Sequence, residues 1–161
     1  MIKKMFTALF LVSAILVGGD DPKSKTITCV VSGDEINKSE LKDHDHSTYR
    51  DGKVYFCCGG CKMDFDESPK KFAAKANFQL VSSGQYVQTA CPVNSGKIHT
   101  ERAKKKLKKV TVSGMEVDLC CPGCLKKYNK ASDKFALLFS DNGYEKGFSP
   151  KDSKKTQSKS K

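Results

Sequence analysis

Two short stretches decide how this chain reads: Val54-Tyr55-Phe56-Cys57-Cys58-Gly59-Gly60-Cys61 and Val117-Asp118-Leu119-Cys120-Cys121-Pro122-Gly123-Cys124. Each runs from a β-rich segment into an adjacent cysteine pair, a two-residue turn and a third cysteine. Working outward, both are preceded by a lone cysteine before a glycine turn, Cys29-Val30-Val31-Ser32-Gly33 and Cys91-Pro92-Val93-Asn94-Ser95-Gly96. Both are followed by aromatic residues at matching places, Phe65 and Phe72 after the first and Tyr128 and Phe135 after the second. The offset between copies is 63 residues from Cys57 and Cys120 onward and 62 at the opening cysteines. All eight cysteines divide four and four between two copies of one unit.

The 161-residue chain therefore reads as two small units rather than one large core. Trp is absent and the mean hydropathy is −0.50. Units this small need staples, either metals or disulfides. The expected fold class is α+β: two small zinc-finger-like units, residues 26–80 and 88–145, each a β-hairpin plus a helix around a cysteine cluster. Strands are expected at Thr26–Val31, Lys53–Phe56, and near 109–113 and 116–119, with turns at Asp51-Gly52 and Ser113-Gly114. Residues 37–50 read as polar loop. Helices are expected over Cys61–Ala76, broken or restarted at Pro69, and over 124–139, which contains no proline. Phe78–Gln88 reads as a β-rich link. Phe56, Phe65, Phe72, Leu119, Tyr128 and Phe135 are the core candidates.

Residues 1–19 read as a secretory signal peptide. Lys3 and Lys4 precede an apolar run from Phe6 to Val17, and Val17-Gly18-Gly19 supplies small residues for cleavage. The run is short for a membrane span. The expected location is thus the periplasm or the exterior, where thiols tend to oxidise and disulfides compete with metal. From about Ser149 the chain is Lys/Ser-rich and reads as a disordered tail.

The formal net charge is +11 and the pI about 9.3. Such a balance suits acidic surfaces, including an anionic cell-envelope surface. Lysine supplies nearly all of it, with arginine only at Arg50 and Arg102. Base reading and bidentate phosphate recognition favour arginine, so nucleic acid is disfavoured as a partner. The run Lys104-Lys105-Lys106 with Lys108-Lys109 reads as a solvated face.

The cysteine spacing carries the chemistry. Thiolates, not thiols, bind metal, and a helix N-terminus favours them. Gly59-Gly60 and Pro122-Gly123 suit tight turns that aim two sulfurs at one ion. The opening Cys29 or Cys91 can return to the same point. Cys58 with Cys61 has C-x2-C spacing, and Cys57 with Cys61 has C-x3-C spacing; the same choice exists between Cys121 and Cys120. The candidate ligands are therefore Cys29, Cys57, Cys58, Cys61, Cys91, Cys120, Cys121 and Cys124. Sulfur donors select Zn(II) or Cu(I) over Mg or Ca. His44 and His46 form a possible auxiliary set, and His99 follows Cys91 closely enough to approach the second site. A solvated surface explains all three histidines without a metal. No Ser-His-Asp set, phosphate loop or paired-carboxylate motif is present, so no enzyme activity is expected.

These residues resemble the YHS domain and the related TRASH domain. Cys91-Pro92-Val93 matches the family's opening turn, and Cys29-Val30-Val31 matches it without the proline. Gly52-Lys53-Val54-Tyr55-Phe56-Cys57, then Cys61, Phe65, Pro69 and Phe72, follow the family pattern in the first copy. Gly114, Val117, Cys120, Cys124, Tyr128 and Phe135 do so in the second. The TRASH spacing, a distant cysteine and then C-x3-C, lands on Cys29/Cys57/Cys61 and on Cys91/Cys120/Cys124. Both copies lack the second cysteine that many members carry in the opening turn, and 27 and 28 residues separate the opening cysteine from the cluster. The resemblance spans most of residues 26–140. It implies a treble-clef-like unit and a role in heavy-metal trafficking, resistance or sensing. The function expected is binding of Zn or Cu for storage, resistance or delivery, with metal ions and a metal-handling protein as partners. The rival expectations are a structural or interaction module whose zinc or disulfides only hold the fold, and a thiol–disulfide oxidoreductase.

Overall fold

The structure is a computed structural model, and it describes residues 25–151. The signal-peptide reading at 1–19 and nearly all of the expected tail lie outside these residues.

The first unit opens with strands β1 (Thr26–Thr28) and β2 (Glu35–Asn37), paired antiparallel around the Cys29 turn. A 3-10 segment, Lys38–Asp43, follows, then β3 (His46–Tyr49) and β4 (Gly52–Tyr55). Residues 37–50 are thus not a plain loop: β3 supplies the partner that β4 needs, with Tyr49 opposite Gly52. The hairpin turn is Arg50-Asp51, one residue earlier than expected, and Arg50 adopts a left-handed φ of 52°. Gly52 is required in β4 by space, since a Cβ there would stand 2.7 Å from Leu80 Cδ2.

Helix α1 (Gly59–Glu67) begins directly after Cys58. It ends at Ser68, and Pro69 starts a 3-10 turn, Pro69–Phe72, because proline lacks the N–H needed to continue the helix but suits a first turn. Helix α2 (Ala73–Ser82) then takes in Phe78–Ser82, the first part of the segment expected to be a β-rich link. Periodicity misleads there because every residue of α2 from Ala76 to Ser82 is buried, which leaves no polar face to mark a helix. Only β5 (Tyr86–Gln88) is strand.

The second unit follows the same order. The Cys91 turn is closed by a bridge between Ala90 and Lys97. After the short helix α3 (Glu101–Lys104) come β6 (Lys108–Val112) and β7 (Met115–Leu119), joined by Ser113-Gly114, both at positive φ as a two-residue hairpin turn of this hand requires. Helix α4 (Pro122–Lys130) matches α1 in length and place. The expected helix over 124–139 is broken without proline: Asp133 Oδ1 accepts from the Ala136 N–H at 2.8 Å and caps a new helix, α5 (Lys134–Phe139). Helix α6 (Asp141–Gly147) and strand β8 (Phe148–Pro150) complete the described chain. Ser149 and Pro150 therefore belong to a strand paired with β5, not to the tail.

The fold is α+β, with a hairpin and a helix around a cysteine cluster in each unit. Phe56, Phe65, Leu119 and Tyr128 are buried, and Phe72 and Phe135 pack partly exposed against them. The two units share one core. Phe78 of α2 packs on Phe135 and Phe139, with ring centroids 5.3 and 5.0 Å apart. Tyr86 packs on Tyr144 at 5.2 Å. Each large apolar side chain buried this way contributes about 1.5–3 kcal/mol. Among the described residues no helix is long and apolar enough to cross a membrane.

Candidate metal centres

The eight cysteines are all free thiols. Two groups of three converge: Cys29, Cys57 and Cys61, and Cys91, Cys120 and Cys124, each with sulfurs within 4.8 Å of one another. In both, the C-x3-C pair stands at 3.7 Å, Cys57 from Cys61 and Cys120 from Cys124. Four ligands at zinc–sulfur distances of about 2.3 Å in a tetrahedron put neighbouring sulfurs about 3.8 Å apart. The sulfur spacing fits a soft-metal ion at the centre of each trio.

One member of each adjacent pair joins the trio. Cys58 and Cys121 are extended residues at the N-caps of α1 and α4, with φ −158° and −164°. Cys57 and Cys120 join the opening cysteine in the trios, whereas backbone N–H groups of the first helical turn reach the sulfurs of Cys58 and Cys121. Cys58 is exposed, with its sulfur 3.9 Å from Cys57 Sγ, and Cys121 Sγ lies 3.6 Å from Cys124 Sγ. Both lie outside the trios. Hydrogen bonds from helix N–H groups lower both thiols, from Cys61 to Cys58 and from Cys124 to Cys121.

Inside the first trio, burial pushes the Cys29 thiol up. Hydrogen bonds from the Ser32 hydroxyl and from the amides of Cys57, Val31 and Ser32 outweigh it and hold Cys29 at about 7. Cys57 receives a favourable hydrogen bond from Ser32. Its burial and the proximity of Cys61 and Cys29 prevail, and it is raised to about 12. Burial likewise raises Cys61, Cys120 and Cys124.

Two glutamines that sequence reasoning did not single out place the opening cysteines. Gln79 of α2 is buried; its Nε2 donates to the carbonyls of Thr28 and Tyr55 at 2.8 and 2.9 Å, and its Oε1 accepts from the Tyr55 N–H at 2.7 Å. In the second unit Gln88 Nε2 donates to the carbonyls of Ala90 and Asp118 at 2.9 and 2.6 Å, and Oε1 accepts from the Asp118 N–H at 2.9 Å. Thr28 and Ala90 directly precede the opening cysteines; Tyr55 and Asp118 stand two residues before the clusters. Each glutamine thus clips the two halves of its site together. No spacing rule finds them, since Gln79 follows its site and Gln88 precedes its own.

The histidines serve elsewhere. His44 Nδ1 contacts the Phe56 carbonyl at 3.1 Å, the His46 ring packs on Tyr55 at 5.8 Å, and His99 Nε2 contacts the Gln88 carbonyl at 3.2 Å. None joins a trio. Comparison of the chain with protein-family models, with curated proteins and with solved structures gives no match.

Proposed function

We propose that this chain binds soft metal ions, Zn(II) or Cu(I), in its two cysteine trios, as a carrier or store outside the cytoplasm and without catalysing a reaction. The observation that carries this reading is the convergence of three sulfurs at each site with the C-x3-C pair at 3.7 Å, the edge length of a metal thiolate polyhedron. Sulfur donors fit Zn and Cu(I) and not the hard cations. The apolar run behind Lys3 and Lys4 supports export. The resemblance to YHS and TRASH domains supports metal storage, resistance or delivery, with a metal-handling protein as partner. Lysine-rich charge favours contact with an anionic envelope surface.

Elemental analysis with thiol titration on protein purified under reducing conditions tests the reading. The expected result is one soft-metal ion for each of the two trios, halved by Cys61→Ser and abolished by Cys61→Ser with Cys124→Ser. A folded chain that takes up neither metal defeats it. Metal that resists exchange against a chelator supports instead a structural module whose ion only stabilises the fold.

A thiol–disulfide exchange reading has one observation behind it: Cys121 caps α4 with a lowered thiol, 3.6 Å from the raised Cys124. Turnover of a disulfide substrate would support it.

A further inference from the structure

We infer that each site completes its coordination with an oxygen from the opening turn, Ser32 Oγ in the first unit and Asn94 Oδ1 in the second, so that both are three-sulfur, one-oxygen sites. This rests on the metal-binding reading and specifies its fourth ligand.

Ser32 and Asn94 each stand three residues after the opening cysteine, at the second position of a C-x2-C spacing. That spacing on a tight turn brings two side chains to one ion. Here the second side chain offers oxygen. Ser32 Oγ lies 3.3 Å from Cys57 Sγ, on the same turn as Cys29. Asn94 Oδ1 lies 3.1 Å from Cys120 Sγ. In a tetrahedron with sulfur at about 2.3 Å and oxygen at about 2.1 Å from zinc, the sulfur–oxygen edge is about 3.6 Å. Ser32 Oγ stands about 0.3 Å inside that edge and Asn94 Oδ1 about 0.5 Å inside it.

The turns hold these oxygens in place. In the first, the Cys29 N–H donates to the Asp34 carbonyl at 2.8 Å, the Gly33 N–H to the Cys29 carbonyl at 3.0 Å, and the Asp34 N–H to Ser32 Oγ at 3.3 Å. In the second, the Cys91 N–H donates to the Gly96 carbonyl at 2.9 Å, and the Gly96 N–H to Asn94 Oδ1 at 2.9 Å. Gly96 also leaves the space in which oxygen and sulfur meet. A Cβ there would stand 2.5 Å from Cys120 Sγ and 2.9 Å from Asn94 Oδ1. Cys58 and Cys121 are the competing fourth donors, with Cys58 Sγ 3.9 Å from Cys57 Sγ and Cys121 Sγ 3.6 Å from Cys124 Sγ, and the composition of the metal shell separates them from oxygen.

A neutral oxygen is a weaker ligand for a soft ion than a thiolate. Zinc takes four donors, so its binding depends on this oxygen; Cu(I) is satisfied by sulfur alone and does not need it. The fourth bond is then the one an incoming ligand displaces.

The test is X-ray absorption on the zinc-loaded full chain, with chelator competition for Zn(II) and Cu(I) on variants. The expected zinc shell has three sulfurs and one oxygen. Ser32→Ala with Asn94→Ala weakens zinc roughly tenfold and leaves Cu(I) affinity unchanged. Ser32→Cys with Asn94→Cys gives a four-sulfur shell and tighter zinc. A four-sulfur zinc shell in the unaltered chain overturns the inference while leaving metal binding intact, as does unchanged zinc affinity in the folded alanine variant. A chain that takes up neither metal overturns both readings.

Discussion

The side chain of Gln79 and the main chain of Tyr55 exchange two hydrogen bonds, Tyr55 N–H to Gln79 Oε1 at 2.7 Å and Gln79 Nε2 to the Tyr55 carbonyl at 2.9 Å. Gln79 thereby acts as an added strand partner for β4, and its further bond to Thr28 draws in the segment that carries Cys29. Gln79→Leu fills similar volume but leaves these buried groups unpaired. It is expected to lower stability by about 3 kcal/mol and to weaken the first site roughly tenfold, with the second site unaffected. Gln88→Leu is expected to do the reverse. Metal titrations of the two variants, each against the unaltered chain, check the selectivity.

Arg50 joins the two units. Its guanidinium bonds Asn77 Oδ1 at 2.9 Å, Asp141 Oδ1 at 2.6 Å and Glu145 Oε1 at 3.3 Å, and lies 4.9 Å from the centroid of the Tyr144 ring. Asn77 is buried and passes the link on to the Phe139 carbonyl at 2.9 Å. Arg50→Ala is expected to cost about 1–3 kcal/mol, because it strips a partner from a buried amide and removes a cation from an aromatic face. Arg50→Lys keeps the charge but not the fork, so it should recover only part of the loss. The urea midpoints of the three proteins check this order.

The same cluster makes stability depend on acid. A hydrogen bond from Asn77 is the largest influence on the Asp141 carboxyl; burial opposes it, Arg50 adds to it, and the net effect holds the group below its ordinary value. A carboxyl depressed in the folded state stabilises the fold above its unfolded pKa of about 3.9, and that contribution is lost as pH falls through the folded value. The urea midpoint should therefore fall between about pH 4 and lower pH, and more shallowly in Asp141→Asn.

Glycine substitutions in the two opening turns are expected to differ. At Gly96 a Cβ meets Cys120 Sγ, so Gly96→Ala should displace that sulfur and remove the metal of the second trio. At Gly33 nothing lies within 4 Å, but φ is +87°. Gly33→Ala should cost about 1–2 kcal/mol from backbone strain and leave both metals bound. Metal-to-protein ratios and thermal melts of the two variants separate the cases.

The sequence by itself determined the positions of all eight cysteines, the pairing of the two units, and the hairpin-to-helix path that leads into each cluster. Local signals carry that much: Ser113-Gly114 makes its own turn, Pro69 starts its own 3-10 segment, and Gly59 and Pro122 open helices. The resemblance to the TRASH spacing pointed to the two trios, but cysteine spacing alone left Cys57 and Cys58 equal candidates, and the tertiary structure decided which sulfurs meet. Cys57 and Cys58 are neighbours in sequence, yet Cys57 groups with Cys29 and Cys61 while Cys58 stays exposed at the start of α1. Tertiary structure also made α2 the shared centre of both units; burial on every side erased the periodicity by which a helix is read. Gln79 and Gln88 carry no spacing signature of a ligand site, and Ser32 and Asn94 hold a ligand spacing without a cysteine to mark it. They act through contacts spanning 24 to 51 residues, as between Gln79 and Tyr55 or Thr28, and such contacts exist only once the core has closed.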